Sequence, residues 1–279
     1  MGCGSERVPK HRKGGSQMNV VKQLEELNYA LLQSFSTRLD KPWGVMFWNE
    51  DQPDYYDANH ARVSELPEKP EKVIDEVISF YEQIQVTPRF YLYNIESLTS
   101  FIDLLIEKGF QYEDFPELIQ QWDGDVTPLS VNEKITIEKV TATNYAEAVE
   151  VECQIEEFGG RSVREKAFET EFNDKRYTHF LLSYDGKPCS TACLFVHGDQ
   201  GRVESVATIE AYRGKGLVGL LLQRIQQEAQ TLQLEKLWIY PITERVEKVY
   251  SRYGFTKALT LQTGHAFLGG KGIKEIQGR

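Results

Sequence analysis

Apolar residues recur at helical and strand periods along most of this chain, and the alternation lays out its elements. From Asn19 to Leu39, Val20, Val21, Leu24, Leu27, Leu31 and Leu32 return at spacings of three and four, which predicts a helix with one buried face. Trp43 to Trp48 reads as a strand, and Pro53 to Pro70 as a turn-rich stretch with two tyrosines and Asn59-His60. A helix over residues 71–84, an aromatic strand at Arg89–Tyr93 and a helix over 96–108 follow. The segment DGDVTPLSVNE, residues 123–133, concentrates turn residues and predicts a linker. Beyond it the pattern gives a strand at Ile135–Val140, helices over 143–157 and 163–172, and strands over 177–184 and 189–197 joined by the hairpin signal Asp185-Gly186. A strand at Arg202–Ile209, a helix over 216–232, a strand over 236–240, a helix over 244–252 and terminal strands within 255–268 complete it.

A chain of 279 residues is long enough for two lobes, and the linker divides it into an extension at 1–17, a lobe at 18–126 and a lobe at 131–279. The expected class is α/β, of the α+β type. The first seventeen residues mix Gly, Ser and basic side chains with almost nothing apolar and read as a disordered extension or tag; Met18 is a candidate natural start. Met-Gly-Cys at the terminus lacks the Ser or Thr that N-acylation wants at position six, where Glu6 stands. Hydrophobic residues at 41% and charged residues at 27% fit a globular chain, with no apolar run of membrane-spanning length. Four cysteines without a C-x-x-C pair fit a reducing, cytoplasmic setting better than a disulfide framework.

Charge is uneven: residues 18–130 hold 8 basic against 21 acidic side chains, while residues 131–279 balance. That sign argues against a nucleic-acid partner and is compatible with a cationic or amine-bearing substrate. The two halves also repeat a pattern. Phe90-Tyr91-Leu92-Tyr93, a helix and Gly109-Phe110 lie beside Leu237-Trp238-Ile239-Tyr240, a helix and Gly254-Phe255, which predicts a duplicated fold.

The segment with most chemistry is Arg202 to Gln230, where a strand runs into Arg213-Gly214-Lys215-Gly216-Leu217-Val218-Gly219 and a helix begins at once. A helix start carries unpaired N–H groups and partial positive charge, and glycines let a large anion approach the backbone. This predicts a pyrophosphate cradle, with Arg213 and Lys215 adding formal charge. Gly214, Gly216 and Gly219 also satisfy G-x-G-x-x-G, so an NAD(P)-dependent oxidoreductase is an alternative. The preceding strand ends an antiparallel meander, however, and the only nearby acid, Glu235, comes before the next strand rather than at its end.

Arg213 and Gly216 fit the acetyl-CoA motif of the GNAT acetyltransferases (Arg or Gln, two residues, Gly, one residue, Gly or Ala), and Tyr250 with Gly254-Phe255 fits that family's later signature. Residues 134–268 therefore resemble the GNAT superfamily. Val218 departs from the motif's last position, with Gly219 directly after, and Thr243 stands where the family often has Asn. The resemblance implies a mixed, splayed sheet with acetyl-CoA as co-substrate between the strand ending near Thr208 and that ending near Tyr240. Val206, Ala207 and Thr208 would meet the pantetheine and thioester, residues 213–219 the pyrophosphate, with Thr243 nearby.

The implied reaction is acetyl transfer to a primary amine, carried by a small molecule or a peptide, and it requires a base and an acid. Glu204 shares a face with Thr208 on a regular strand and is the candidate base, directly or through water; an ordinary paired strand glutamate is the competing reading. Tyr250, by its family position, is the candidate acid for the departing thiolate. No metal is implied: Cys189, Cys193 and His197 are spaced by four, which on a strand separates neighbours by about 13 Å. No Cys-His-acid set is visible. The first half has only Gly44, Gly109 and Gly124 between residues 18 and 130, so it reads as a degenerate, cofactor-free copy whose Trp43, Phe47, Trp48, Tyr55 and Tyr56 either fill a core or wall the acceptor cleft. A non-catalytic acyl-CoA sensor is a further alternative, and a homodimer is left open.

Overall fold

In the computed structural model, which describes residues 17–126, 128–130 and 133–276, the alternating segments join into one mixed sheet. The first half runs α1 (Gln17–Leu32), β1 (Thr37–Lys41), β2 (Gly44–Trp48), β3 (His60–Val63), α2 (Pro70–Gln83), β4 (Arg89–Tyr93), α3 (Thr99–Glu107) and β5 (Gln111–Trp122). The second runs β6 (Ile135–Lys139), α4 (Tyr145–Cys153), α5 (Arg161–Asn173), β7 (Tyr177–Tyr184), β8 (Lys187–His197), β9 (Gln200–Thr208), α6 (Leu217–Thr231), β10 (Lys236–Ile239), α7 (Glu244–Ser251), β11 (Phe255–Phe267) and α8 (Ile273–Ile276). Apart from Gln17, the N-terminal extension lies outside the described residues. Among the described residues no helix is long and apolar enough to cross a membrane.

The order β1-β2-β3-β4-β11-β5-β10-β9-β8-β7-β6 shows how the halves are joined. The last strand of the first half, β5, pairs antiparallel with β10, while the last strand of the second half, β11, pairs antiparallel with β4. The two exchanged strands pair with each other from Phe255↔Trp122 to Phe267↔Gln111. Each half thus completes the other's sheet. The repeat seen in the sequence extends to register: Arg62 lies opposite Tyr91 in the parallel pair β3·β4, as Arg202 lies opposite Trp238 in the parallel pair β9·β10.

Alternation assigns the faces. Leu237 and Ile239 face the core formed with α6, whereas Trp238 faces the cluster formed with α1. Ala61, Val63, Phe90 and Leu92 likewise pack with α2 and α3. Helix α1 lies on the opposite face and bridges the halves, its Leu24, Leu27 and Leu31 packing on Ile119, Phe195, Trp238 and Leu259. Helices α4 and α5 pack on that same face through Phe168 and Leu181.

Three elements depart from the periodic reading. The first helix stops at Leu32 rather than Leu39, where the Ser34 and Ser36 hydroxyls donate to the Leu31 and Leu32 carbonyls, and residues 37–41 form an edge strand instead. Residues 60–63, within the turn-rich stretch, form β3. Residues 111–122 form a long strand despite Pro116, because β10 pairs only with Gln120 and Gln121 and leaves no ladder bond for Pro116 to break on that side.

Candidate active-site cleft

Strands β9 and β10 pair in parallel only as far as Val203↔Ile239. Beyond that point β9 continues to Thr208 while β10 ends and the chain turns away at Tyr240-Pro241, so the sheet splays. Ser205 adopts φ 50°, in the left-handed region, and the β8·β9 register shifts between Thr191 and Cys193 opposite it. This is a bulge, which re-aims the strand beside the splay. It also corrects the expected placement of Glu204. Even spacing from Thr208 fails across the bulge; Glu204, Ser205 and Val206 line the cleft, whereas the Thr208 hydroxyl hydrogen-bonds to that of Ser190 at 2.7 Å. The Ala207 carbonyl accepts from the Ser190 hydroxyl at 2.5 Å.

The loop at 213–219 leads into α6, which Gly216 caps at φ 75°. A Cβ on Gly214 or Gly216 would meet nothing within 4 Å, so both face open space. The Arg213 and Gly219 amides are already spent on the Glu210 and Gly216 carbonyls, leaving the stretch from Gly214 to Val218 to meet a ligand. Gly219 has another role: a Cβ there would fall 2.3 Å from the Tyr253 ring, so its missing side chain admits Tyr253 against α6. Arg213 reaches back to the Thr208 carbonyl at 3.0 Å, and Lys215 lies over the Tyr184 and Tyr212 rings. Thr243 is the N-cap of α7, its hydroxyl accepting from the Val246 amide at 3.3 Å.

A cleft of about 790 Å³ opens beside the splay, lined by both halves of the chain. Tyr250, on the buried side of α7, and Glu204 both line it. Burial, reinforced by the nearby Glu204 carboxylate, pushes the Tyr250 phenol well above its ordinary range and keeps it protonated. Burial also raises Glu204 toward the neutral form, against the pull of the Arg202 guanidinium with which it forms an ion pair. Of the first-half aromatics, Tyr55 and Tyr56 also line the cleft, while Phe47 is buried and Trp43 and Trp48 pack against the core of α2 and α3; the rest of the charged lining was not read from the sequence. Arg202 lies over the Tyr240 ring at 3.8 Å, and its counterpart Arg62 lies over the Tyr93 ring at 3.8 Å. Tyr91 donates to Asp57 at 3.0 Å, and Glu117 on β5 is raised by burial against the pull of Arg202 and Arg62. The repeat of Phe90–Tyr93 in Leu237–Tyr240 was the available signal, since it aligns Tyr93 with Tyr240.

Two further buried sets form. Arg164 holds Glu171 through two bonds of 2.9 and 2.5 Å and lies 2.6 Å from Glu152. The fold also brings Cys193 and Glu171 to one His179 nitrogen, Nε2, at 3.6 and 3.5 Å. Burial raises the Cys193 thiol well above its usual value and lowers His179 to about 4, so this set holds a thiol and a neutral ring, with no nucleophile. Elsewhere Arg89 can only donate, at 3.1 Å, to His265 Nε2, so His265 Nδ1 carries the proton and donates to Glu113 at 2.8 Å. Glu113 also accepts from the Ile273 amide, fastening the start of α8 at the rim of the cleft.

With this geometry in view, residues 145–255 match the acetyltransferase (GNAT) family. That part of the chain carries a GNAT domain. No curated protein matches the sequence. Among solved structures, a functionally unknown conserved protein from Staphylococcus epidermidis aligns at TM-score 0.67 and 12% identity, over 84% of this chain and 95% of that one. A GCN5-related N-acetyltransferase from Kribbella flavida aligns at TM-score 0.64 and 16% identity, over 93% and 98%. A tandem GNAT protein from the clavulanic acid biosynthesis pathway aligns at TM-score 0.50 and 14% identity, over 76% of each. At these identities the likeness is one of fold, and in the first two it extends through both halves.

Proposed function

We propose that the protein is an N-acetyltransferase that moves an acetyl group from acetyl-CoA to a primary amine in the cleft between its halves. The observation that carries this reading is the meeting, at one splayed strand pair, of an open glycine cradle, a bulged strand and a phenol held protonated. Gly214 to Val218 would hold the pyrophosphate, with Lys215 adding charge, and Val206 at the bulge would lie along the pantetheine. Acetyl-CoA supplies an acyl carbon open to attack and a thiolate leaving group.

The chain's own residues supply the proton movements. An amine with a pKa near 10 arrives protonated and must lose a proton before it attacks. Glu204 takes that proton at its carboxylate, directly or through one water, and passes it to solvent. Tyr250 gives its phenolic proton to the departing sulfur and recovers one from the amine after attack. The first half lacks these parts. Ser64, just past the end of β3, stands where β9 has Glu204, α3 carries buried Leu105 in the turn before Gly109-Phe110, as α7 carries Tyr250 before Gly254-Phe255, and no glycine lies between β3 and α2.

Free-thiol release across a panel of primary amines, together with thermal shifts by acetyl-CoA and by NAD, tests the proposal. Amine-dependent thiol release and stabilisation by acetyl-CoA alone are expected. Stabilisation by NAD alone would overturn the reading in favour of a dinucleotide site, and acetyl-CoA binding with no amine-dependent release in favour of a sensor.

A further inference from the structure

The cleft continues inward to a chamber of about 170 Å³ under the C-terminal end of α1, lined from both halves. Its charged groups sort into pairs. Arg164 is held by Glu171, Arg202 by Glu204, and Arg62 reaches Glu25 at 3.7 Å. Among the described residues Asp57 and Glu117 have no ion-pair partner, and Asp57 accepts from the Tyr91 hydroxyl.

Several polar atoms here are buried and unsatisfied. Glu117 Oε2 and the Tyr240 hydroxyl, both on the cleft, have no hydrogen-bonding partner among the described residues. Deeper in, the Arg62 Nε lacks a partner of normal geometry among the described residues, in a residue that is 4% exposed. A buried carboxylate oxygen without a donor is destabilising, and the cost is returned when a ligand supplies one. The species that satisfies a carboxylate oxygen and a phenol together, in a chamber with carboxylates in excess, is an ammonium group.

Resting on the acetyltransferase reading above, we infer that Glu117, carried into the second half's sheet on the exchanged strand β5, is the docking carboxylate for the acceptor's amino group. The Tyr240 hydroxyl is its second contact. The acceptor is accordingly a cationic amine with no carboxylate next to its nitrogen, because an α-carboxylate would enter beside Glu117, Asp57 and Glu204. The first half, which lacks a cofactor cradle of its own, thus selects the acceptor.

Butylamine, 1,4-diaminobutane and glycine serve as probes, read in two ways on the full chain. In saturating coenzyme A, the two cationic amines should raise the melting temperature at concentrations where glycine does not, and Glu117→Gln should abolish that rise while leaving the shift by coenzyme A intact. In turnover, Glu117→Gln should raise KM for the cationic amines at least tenfold with kcat changed less than about threefold, and Glu117→Asp should recover part of the loss. Tyr240→Phe, which keeps the charge, should weaken amine docking by a smaller factor and serves if Glu117→Gln does not fold. The inference is overturned if no amine shifts the melt beyond coenzyme A alone, if glycine binds as well as butylamine, or if both variants keep the wild-type KM. Amine turnover with unchanged variants sinks this inference alone, whereas loss of acetyl-CoA binding in the wild type sinks the underlying reading.

Discussion

Replacing Gly219 by Ala separates packing from ligand contact in the glycine-rich segment. The added Cβ would sit 2.3 Å from Cε1 and Cζ of Tyr253 and 2.5 Å from its hydroxyl. Carbon atoms rest about 3.5–4.0 Å apart, so the ring must withdraw by more than about 1 Å. Overpacking of this kind costs about 1–3 kcal/mol, and alanine returns up to about 1 kcal/mol of helix propensity. Tyr253 is half-buried and can yield in part, so a net loss of about 1–2 kcal/mol is expected, with the melting temperature falling about 2–4 °C for each. Adding Tyr253→Ala should relieve the clash and show coupling between the two sites. Because the Gly219 amide already donates to Gly216, acetyl-CoA affinity should change less than about threefold once folding is accounted for. Gly214→Ala and Gly216→Ala, at φ 79° and 75° with open space around them, should do the reverse and weaken acetyl-CoA while costing about 1 kcal/mol of backbone strain. Urea melts and calorimetric titration read both quantities. A Gly219→Ala protein as stable as the wild type but tenfold weaker for acetyl-CoA would refute the assignment.

Tyr250→Phe should lower amine-dependent turnover by about 10²-fold or more with acetyl-CoA affinity unchanged, measured by thiol release and titration; undiminished turnover removes Tyr250 as the acid. Glu204→Gln should lower kcat and remove the acidic limb of the pH–rate profile, since a base raised by burial is active only above its elevated pKa. His60, stacked on Tyr91 at 4.1 Å, is lowered by burial to about 3, so the unfolded chain protonates first as pH falls. Its contribution is whole above an unfolded pKa of about 6.5 and drains below it; relative to His60→Phe, the wild type should lose about 1.4 kcal/mol per pH unit toward the folded pKa, read by urea melts. A fragment of residues 131–279 lacks β5, so it should fail to fold or should aggregate; a folded monomer with native acetyl-CoA affinity, seen by circular dichroism and titration, would contradict the exchange.

The elements and the motif that the sequence disclosed are those whose causes are local. The helix after Gly216 follows from Leu217, Leu220, Leu221 and Ile225 on one face, and the β7–β8 hairpin from Asp185-Gly186. What stayed hidden depends on partners far away in the chain. Strand β5 reads poorly because Pro116 and six acidic or amide residues interrupt it; it becomes a strand because β11 supplies a ladder along its whole length. The bulge at Ser205 carries no signal of its own, and without it the placement of Glu204 could not be read. The burial of Arg62 and Arg202 was not legible, since nothing within a few residues announces the tyrosine rings and carboxylates that make it tolerable.

The repeat within the chain places those arginines equivalently on both sides. Arg62 over Tyr93 and Arg202 over Tyr240 occupy equivalent register positions, and Glu117 stands where the exchanged strands cross, within the field of both guanidinium groups. A half that had merely lost its cofactor cradle would be free to replace a buried arginine with an apolar residue, often at no cost to stability. Here it is not free, because Arg62 offsets part of the negative charge that Glu117 brings into the second half's cleft. On the docking proposal the exchange of strands therefore does more than close the sheet: it makes the interior of the first half the electrostatic counterweight of the site proposed on the second.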